Sequence, residues 1–392
     1  MTAGADRAIA QQTSQDTAQD PEPSFELAPR AYLQLDWRGY PDWTVVPGGG
    51  RLNLNTLEVR RARVGVDGRW RGVSFELTLD PQDVDGTLVK DAYAQLRLPG
   101  SLRLRAGQFK LPGSREYLVS ARNIDFLERA ALADSAAAGR DIGGMLTGRV
   151  TSALEYQVGL FAGDGNGRGS RAGLTAAGRI EWTLPGDVVV GGSVSEGRSK
   201  TVETDPATGI DGPANGINGR SSSGYRFFDR LYVRGRRARA GVDVSWEPGP
   251  WRIVGEALRV TDERNAQGLD LEDLPSVVGL GWSASAHRQF GRRRGAARSR
   301  IREWEVGVRI DGLGLDDVGP TTARDSVRLR ATDVRPRAAT TLTAGGSWRA
   351  WQWARVLADA AHEHYSEARS APEAGRRGRY WTFGTRIQFE LP

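Results

Sequence analysis

The sequence predicts an all-β protein, specifically a transmembrane antiparallel β-barrel, from three observations. Apolar and polar residues alternate with a period of two from Pro29 onward, which is typical of strands with one apolar face. Glycine contributes 50 of 392 residues, whereas hydrophobic residues make up only 39% and mean hydropathy is −0.47. Because the apolar face of a membrane barrel contacts lipid, such a fold needs no large interior core. No apolar run reaches the roughly 18 residues of a membrane-spanning helix.

The alternating segments follow one another along the chain. Within residues 57–70, Ala62, Val64 and Val66 are apolar, whereas the positions between them are charged or glycine. Pro99-Gly100 separates two further segments, which predicts a tight hairpin. The other copies of the alternation are residues 75–80, 91–98, 102–106, 154–160, 179–184, 237–247, 303–311 and 380–390.

Connections and aromatic residues favour a membrane barrel over a soluble sheet. Long connections rich in Gly, Asp and Asn, which fit outer loops, are residues 163–173, 204–224 and 261–275. Short turns are residues 99–100, 185–186 and 247–250. Tryptophans near segment ends, as in the aromatic girdles of barrels, are Trp182, Trp246, Trp304 and Trp381. A soluble antiparallel sandwich that binds a ligand shows the same alternation and is the alternative fold.

The chain divides into a short lead-in and one large domain. Residues 1–28 are polar and lack apolar periodicity until Phe25, which predicts disorder. Ala8-Ile9-Ala10 matches the cleavage site of a secretory signal, but the apolar stretch that should precede it is missing. Either the protein is not exported, or the true start lies upstream. We expect residues 29–392 to form a single barrel.

Composition excludes several classes of function. Cysteine is absent, which excludes disulfides, thiolate metal sites and a cysteine nucleophile. The 54 basic residues are interleaved with 48 acidic ones, so the chain lacks the basic stripe of a nucleic-acid-binding protein. Lysine is scarce, and its few positions are Lys90, Lys110 and Lys200.

Motifs for catalysis or cofactor binding are weak. Residues 163–169 partly match the sequence patterns of phosphate-binding glycine loops and calcium-binding loops. Neither the helix nor the distal Glu that these motifs require follows, which favours a hairpin loop. His362 and His364 share one strand face, yet a third metal ligand is missing nearby. Neither these two nor His287 accompanies a nucleophile elbow. We therefore expect no catalytic residues, metal ion or cofactor.

Several segments resemble, in the same order, the phosphate-selective porin O/P family of bacterial outer-membrane channels. They are residues 59–68, 91–93, 105–112, 126–129, 159–166 and 304–309. The resemblance covers about residues 28–392. It implies a sixteen-stranded antiparallel barrel, commonly trimeric, with a loop folded into the pore, which should be Gly113–Arg140. Phe126 and Leu127 would anchor that loop to the barrel wall.

The resemblance implies an outer-membrane porin for passive diffusion of small anions such as phosphate or polyphosphate. Its partners would be these solutes, outer-membrane lipid, lipopolysaccharide and two further copies of the chain. The scarcity of lysine leaves a non-selective porin as an alternative. A barrel enzyme, such as a lipase or protease using one of the histidines, is the alternative from another class of function.

Inward-facing cations are the candidate pore and anion-binding residues, because fixed positive charge in a lumen favours anions. Acidic residues on the same face offer the alternative of an ion-paired wall. Lys110 lies where a strand leads into the predicted pore loop, and it either binds phosphate or snorkels at the interface. The candidates are Arg61, Arg63, Arg97, Arg103, Arg105, Lys110, Arg115, Arg122, Arg129 and Arg140.

Overall fold

Among the residues described by the computed structural model, sixteen antiparallel strands close into one barrel, as predicted. The described residues are 25–39, 56–83, 88–163, 173–200, 216–221, 226–228, 233–267, 271–291, 303–315, 337–366 and 379–391. The first half of the barrel consists of β1 (Glu26–Gly39), β2 (Thr56–Trp70), β3 (Val73–Leu79), β4 (Val89–Arg97), β5 (Arg103–Lys110), β6 (Arg140–Arg149), β7 (Leu154–Phe161) and β8 (Thr175–Leu184). The second half consists of β9 (Val188–Lys200), β12 (Arg234–Trp246), β13 (Trp251–Arg264), β14 (Leu274–Phe290), β15 (Glu303–Leu315), β16 (Arg337–Trp351), β17 (Ala354–Tyr365) and β18 (Arg379–Glu390).

The barrel closes through its first and last strands. Tyr32 of β1 lies opposite Glu390 of β18, and the register continues to Gly39 opposite Phe383. β9 pairs directly with β12. The connection between those two strands carries a small separate ribbon of β10 (Gly219–Arg220) and β11 (Arg226–Phe228).

The two ends of the barrel differ in the length of their connections. Arg71 and Gly72 join β2 to β3 with φ values of 45° and 82°, the geometry that a two-residue hairpin prefers. Other short turns at this end are residues 185–187, 247–250 and 352–353. Because barrels of this kind have short periplasmic turns and long extracellular loops, the short-turn end faces the periplasm. Among the described residues, no helix has the length and apolarity needed to cross a bilayer.

The alternation read from the sequence separates a lipid face from an interior face. In β12, Val242, Val244 and Trp246 expose 64%, 43% and 44% of their surface on the outside. Arg239 and Asp243 of the same strand are buried inside, where Asp243 binds Arg179 of β8. Arg239 and Asp243 therefore face the lumen, whereas the three apolar residues face the membrane.

Aromatic rings cluster at the short-turn end. Trp304, Trp348, Trp351 and Trp353 form a continuous series with ring centroids 5.2–6.4 Å apart. Trp182 and Trp246 lie at the same end of their strands, and Trp381 begins β18 at the opposite end. This placement is typical of rings anchored at membrane interfaces.

Some sequence-based expectations fall outside the described residues. They include residues 1–24 of the predicted lead-in and residues 164–169 of the glycine-rich motif. β1 begins at Glu26, three residues before the domain boundary drawn at residue 29.

Candidate pore loop and lumen

The connection between β5 and β6, residues 111–139, folds into the barrel and is called the lumen loop here. It contains two short helices, α1 (Arg115–Leu118) and α2 (Ala131–Ser135). Ser114 caps α1 by accepting a hydrogen bond from the Tyr117 N–H at 3.2 Å. The loop predicted to enter the pore, Gly113–Arg140, is therefore confirmed except at its end, because Arg140 already belongs to β6.

A carboxylate in the middle of the lumen loop binds three arginines of the wall. Glu128 accepts hydrogen bonds from Arg60 at 2.6 and 3.2 Å and from Arg61 at 3.5 Å, and it also contacts Arg38. Arg60 is the extra residue of a β-bulge, because Gln34 lies opposite Arg61 and the next residue, Leu35, lies opposite Val59. The bulge lets two consecutive arginines reach the same carboxylate.

A second ionic contact fixes the loop to β13. Arg252 donates to both oxygens of Asp125, at 3.0 and 2.6 Å, and to Glu305 of β15 at 2.9 Å. His287 of β14 lies beside them, with Nδ1 3.2 Å from Glu305 and Nε2 3.8 Å from Asp125. The contact between Arg252 and Asp125 is planar and bidentate, so it fixes the relative orientation of the two side chains as well as pairing their charges.

Polar side chains of the wall also bind the backbone of the lumen loop. Wall carboxylates accept from loop N–H groups: Glu256 from Arg115 and Glu116 at 2.8 and 3.0 Å, Asp359 from Leu127 at 2.8 Å, and Asp311 from Ala131 at 3.0 Å. Wall donors bind loop carbonyls: Arg179 to Gly113 at 3.1 Å, Gln34 to Ala121 at 3.1 Å, Gln388 to Arg122 at 2.8 Å, Arg355 to Ile124 at 2.9 Å, and Arg309 to Glu128 at 2.9 Å. The irregular backbone thus finds partners inside the barrel.

Apolar packing completes the attachment. Phe126 is 4% exposed, with its ring 5.2 Å from the His287 ring and 4.8 Å from the Arg309 guanidinium. Leu132 is fully buried in a cluster with residues of β13, β14 and β15. Gly281 of β14 makes room for it, since a Cβ there would lie 2.5 Å from the Leu132 Cβ. Leu127 is 5% exposed, so the predicted apolar pair does pack against the wall.

Lys110 binds the loop backbone. Its ammonium donates to the carbonyls of Tyr117, Leu118 and Val119 at 2.5, 3.1 and 2.9 Å, at the end of α1. All three of its N–H donors are therefore used within the protein.

Three further candidate arginines are also engaged in internal contacts. Arg129 donates to the carbonyls of Glu116 and Val119 at 3.2 and 2.7 Å. Arg140 forms a bidentate contact with Asp91 at 3.1 and 2.9 Å. Arg61, besides its contact with Glu128, donates to the Gln34 side chain at 2.9 Å.

The remaining candidates lie on the β2 to β5 side of the lumen or on the loop. Arg63 pairs with Asp80 at 2.7 Å and Arg103 with Glu155 at 3.4 Å. Arg105 donates to the neutral Gln95 side chain at 3.1 and 2.9 Å and stacks 4.2 Å above the Tyr93 ring. Partly or fully exposed at the end of β4 and on the lumen loop are Arg97, Arg115 and Arg122.

Acidic residues share this face, as the sequence suggested. Arg30 lies 2.9 Å from Asp67 and 2.8 Å from Glu76. Glu155 contacts Arg149 at 3.3 Å as well as Arg103. Part of the wall is therefore ion-paired.

The surroundings of the lumen loop shift the pKa values of two of its carboxylates. Burial alone would raise the pKa of Glu128, but the guanidiniums of Arg60, Arg38 and Arg61 hold it well below its usual range. By contrast, burial raises the pKa of Glu116 to about 7, even though Arg309 lies 3.4 Å away. The loop thus carries one carboxylate that resists protonation and one that readily accepts a proton.

Sequence reasoning missed the wall residues that bind the loop. Arg309 lies on a strand whose alternation was recognised, whereas the strands of Arg252 and Arg355 were not identified from the sequence. Nothing in the sequence pairs these three arginines with residues more than a hundred positions away. Arg60 was missed because the bulge interrupts the period of two. A pair of adjacent arginines inside an alternating strand is the signal that could have revealed it.

Among the described residues, Asp125, His287 and Glu305 could place ligand atoms within 4.8 Å of one another. Arg252 already binds both carboxylates, so a guanidinium supplies the positive charge there. His362 and His364 share the outer face of β17, where His362 packs 4.8 Å from the Trp381 ring.

Comparison with known proteins gives a family and a set of similar folds. The family model of phosphate-selective porin O and P matches residues 34–390. The fold is similar to an anion-selective porin from Comamonas acidovorans, with a TM-score of 0.57, 11% identity, and coverage of 94% of this chain and 100% of that one. It is also similar to the outer membrane channel DcaP of Acinetobacter baumannii, with a TM-score of 0.59, 9% identity, and coverage of 94% and 98%.

The trimer form of OmpT from Vibrio cholerae is similar as well, with a TM-score of 0.55, 11% identity, and coverage of 94% of this chain and 100% of that one. No curated protein matches the sequence.

Proposed function

The chain belongs to the family of phosphate-selective porins O and P, and from that membership we propose that it conducts small anions, phosphate among them. It is a porin of the bacterial outer membrane, a channel rather than an enzyme. Its solutes cross passively along the part of the lumen that the loop leaves open.

One observation carries the anion preference, namely cationic side chains on the lumen side that form no ion pair with a carboxylate. Arg105 is held by the neutral Gln95 amide and the Tyr93 ring, so its contacts include no carboxylate that offsets its positive charge. Within the described part of the chain, the guanidiniums of Arg97 and Arg122 form no hydrogen bond or ion pair. Fixed charges of one sign in a lumen raise the local concentration of the opposite ion.

The ten candidate residues then divide into two roles. Arg61, Lys110, Arg129 and Arg140 hold the lumen loop and the strands beside it. The residues proposed to meet the solute are Arg63, Arg97, Arg103, Arg105, Arg115 and Arg122.

A non-selective porin is the second candidate, because Arg30 and Arg103 are paired with carboxylates on the same surface. Such pairs reduce the net field that a passing ion meets. The selectivity measurement below separates the two candidates.

We further propose that the channel works as a homotrimer in contact with outer-membrane lipid and lipopolysaccharide. The trimer form recorded for the Vibrio cholerae protein of similar fold supports the first part. The exposed apolar band supports contact with lipid, since residues such as Val194 and Val242 are 63% and 64% exposed.

The test is ion selectivity of the double variant Arg105→Gln/Arg122→Gln in planar bilayers under a salt gradient. We expect the ratio of anion to cation permeability to fall relative to the wild type, because two cationic side chains without an ion-pair partner leave the lumen. Arg259→Gln is the matched control, since Arg259 lies on the outer face of β13. An unchanged ratio in the double variant would remove these residues from the anion path.

A further inference from the structure

An apolar patch lines the inside of the barrel near its extracellular end, between β13 and β17. Its wall residues occupy inward positions of their strands, and they include Val260, Val277, Leu313, Leu315, Ala339 and Tyr365. Each of these side chains is at most 5% exposed. Because the interior of a porin is polar and filled with water, an apolar patch there must be covered by other parts of the chain.

Two segments cover this patch, one above the other. The lower one is α2 of the lumen loop, whose Leu132 packs at Gly281 of β14. The upper one is the connection that carries the ribbon, since a Cβ on Gly279 would lie 2.6 Å from the Ile217 Cδ1. Gly279 is nearer than Gly281 to the extracellular end of β14, so the ribbon connection lies on the extracellular side of α2.

Phe227 and Ile217 are the apolar side chains with which the ribbon connection enters the barrel. Phe227 of β11 is 2% exposed, and its ring lies 5.7 Å from the Tyr365 ring of β17. Ile217 is fully buried, and its backbone N–H donates to the Asp262 carboxylate of β13 at 2.9 Å. Both residues are therefore held by inward side chains of the wall.

Hydrogen bonds join the ribbon to the lumen loop. The Ser135 hydroxyl of α2 donates to the Arg220 carbonyl of β10 at 3.3 Å and accepts from the Arg220 N–H at 3.3 Å. The polar backbone of β10 thus finds a partner inside the barrel. The ribbon and α2 together form one packed unit over the inward face of β13 to β17.

The other side of the lumen is open. Ser74 and Thr78 occupy inward positions of β3 and are partly exposed, as is Arg105 of β5. By contrast, Ser195 and Ser199 occupy inward positions of β9 and are 8% and 2% exposed. These exposures place the open part of the lumen beside β2 to β5.

We propose that the ribbon closes the extracellular mouth above β13 to β17, so that solutes enter only beside β2 to β5, and that Phe227 and Ile217 hold this boundary. Opening the second route would expose the apolar patch to water, which the hydrophobic effect opposes. The ribbon then limits the size of the solutes, because it removes part of the mouth from the water-filled cross-section. The inference rests on the proposed channel function, since it concerns the route of the same solutes.

Single cysteines test the proposal, because the chain contains no cysteine of its own. Ala339→Cys places a thiol under the ribbon, whereas Ser74→Cys places one in the open part of the lumen. The rate of reaction with a methanethiosulfonate reagent that carries a sulfonate group is read from the mass of the folded, detergent-solubilised protein. Ala339→Cys should react at least about tenfold more slowly, because a buried thiol reacts only when the structure around it opens. Adding Phe227→Ala should raise that rate at least about tenfold, since loss of a buried phenylalanine side chain weakens the packing that holds the ribbon.

Two further variants separate the ribbon from a general loosening of the barrel. Phe161→Ala is the matched control, because Phe161 is 1% exposed in a separate apolar cluster on β7. It should leave the rate at Ala339→Cys unchanged. Ile217→Ala loosens the ribbon at a second position and should act like Phe227→Ala.

Three results would overturn the proposal. They are a rate at Ala339→Cys within about twofold of the rate at Ser74→Cys, no acceleration by either ribbon variant, and equal acceleration by Phe161→Ala. Labelling does not depend on conduction, so the absence of channels from bilayers would contradict the proposed function and not the closure by the ribbon.

Discussion

Replacing Glu128 with Gln should release the middle of the lumen loop from β1 and β2. The carboxylate contacts Arg38, Arg60 and Arg61, and its side chain is only 9% exposed, so solvent screens these contacts little. An amide has no charge, so three inward cations would lose their shared partner. Breaking a buried ion pair costs about 3–5 kcal/mol, which lowers the ratio of docked to released loop by a factor of about 10² to 4 × 10³.

Single-channel recording in planar bilayers measures this effect. We expect E128Q to show a larger mean conductance and more frequent current steps, while the strand ladders keep the barrel folded. Asp134→Asn is the matched control, because the Asp134 side chain is 34% exposed and lies 3.9 Å from Arg129. Pairs of that kind contribute about 1 kcal/mol or less. Identical recordings for E128Q and the wild type would refute the role given to Glu128.

Four further perturbations test the attachment of the loop. Burial raises the pKa of Glu116 from 4.5 to about 7. Between these two pH values the docked loop therefore binds more protons than the released loop, so docking should weaken as pH rises. Current noise should rise from pH 5 to pH 8 in the wild type and stay flat in E116Q. Lys110→Met leaves three loop carbonyls without their donor, so noise should rise at every pH, and a quiet channel would argue against this role. Deleting residues 118–134 should raise single-channel conductance with heat-resistant barrels still present on semi-native gels, whereas unchanged conductance would place the loop outside the conduction path. Gly281→Val should lower thermal stability, because its side chain would collide with Leu132; an unchanged melting temperature would contradict the close packing of α2 on β14.

The fold was predictable because a period of two is a local property of the chain. Val242, Val244 and Trp246 indicate their common face without knowledge of any partner strand. The entry of the loop into the lumen was predictable from a resemblance and from Phe126 and Leu127, apolar residues that a solvated loop would expose.

The roles of individual cations were less predictable, because they depend on contacts distant in sequence. In the sequence, Lys110 lies at the end of a strand with no evident partner. Its partners are backbone carbonyls that lack a helical hydrogen bond because α1 ends there. Arg60 is invisible to any strict alternation, since the bulge turns it toward the lumen beside Arg61. Arg105 and Arg140 occupy similar inward positions, and only the residues of β4 decide that one meets the neutral amide of Gln95 and the other the carboxylate of Asp91.

The zero-current potential of the wild-type channel under a tenfold potassium chloride gradient tests the central claim most directly. Anion preference predicts a potential with the sign set by chloride, and its magnitude should decrease when Arg105 and Arg122 are both replaced with Gln. A potential with the sign set by potassium, or the absence of channels from bilayers that contain folded protein, would contradict the account.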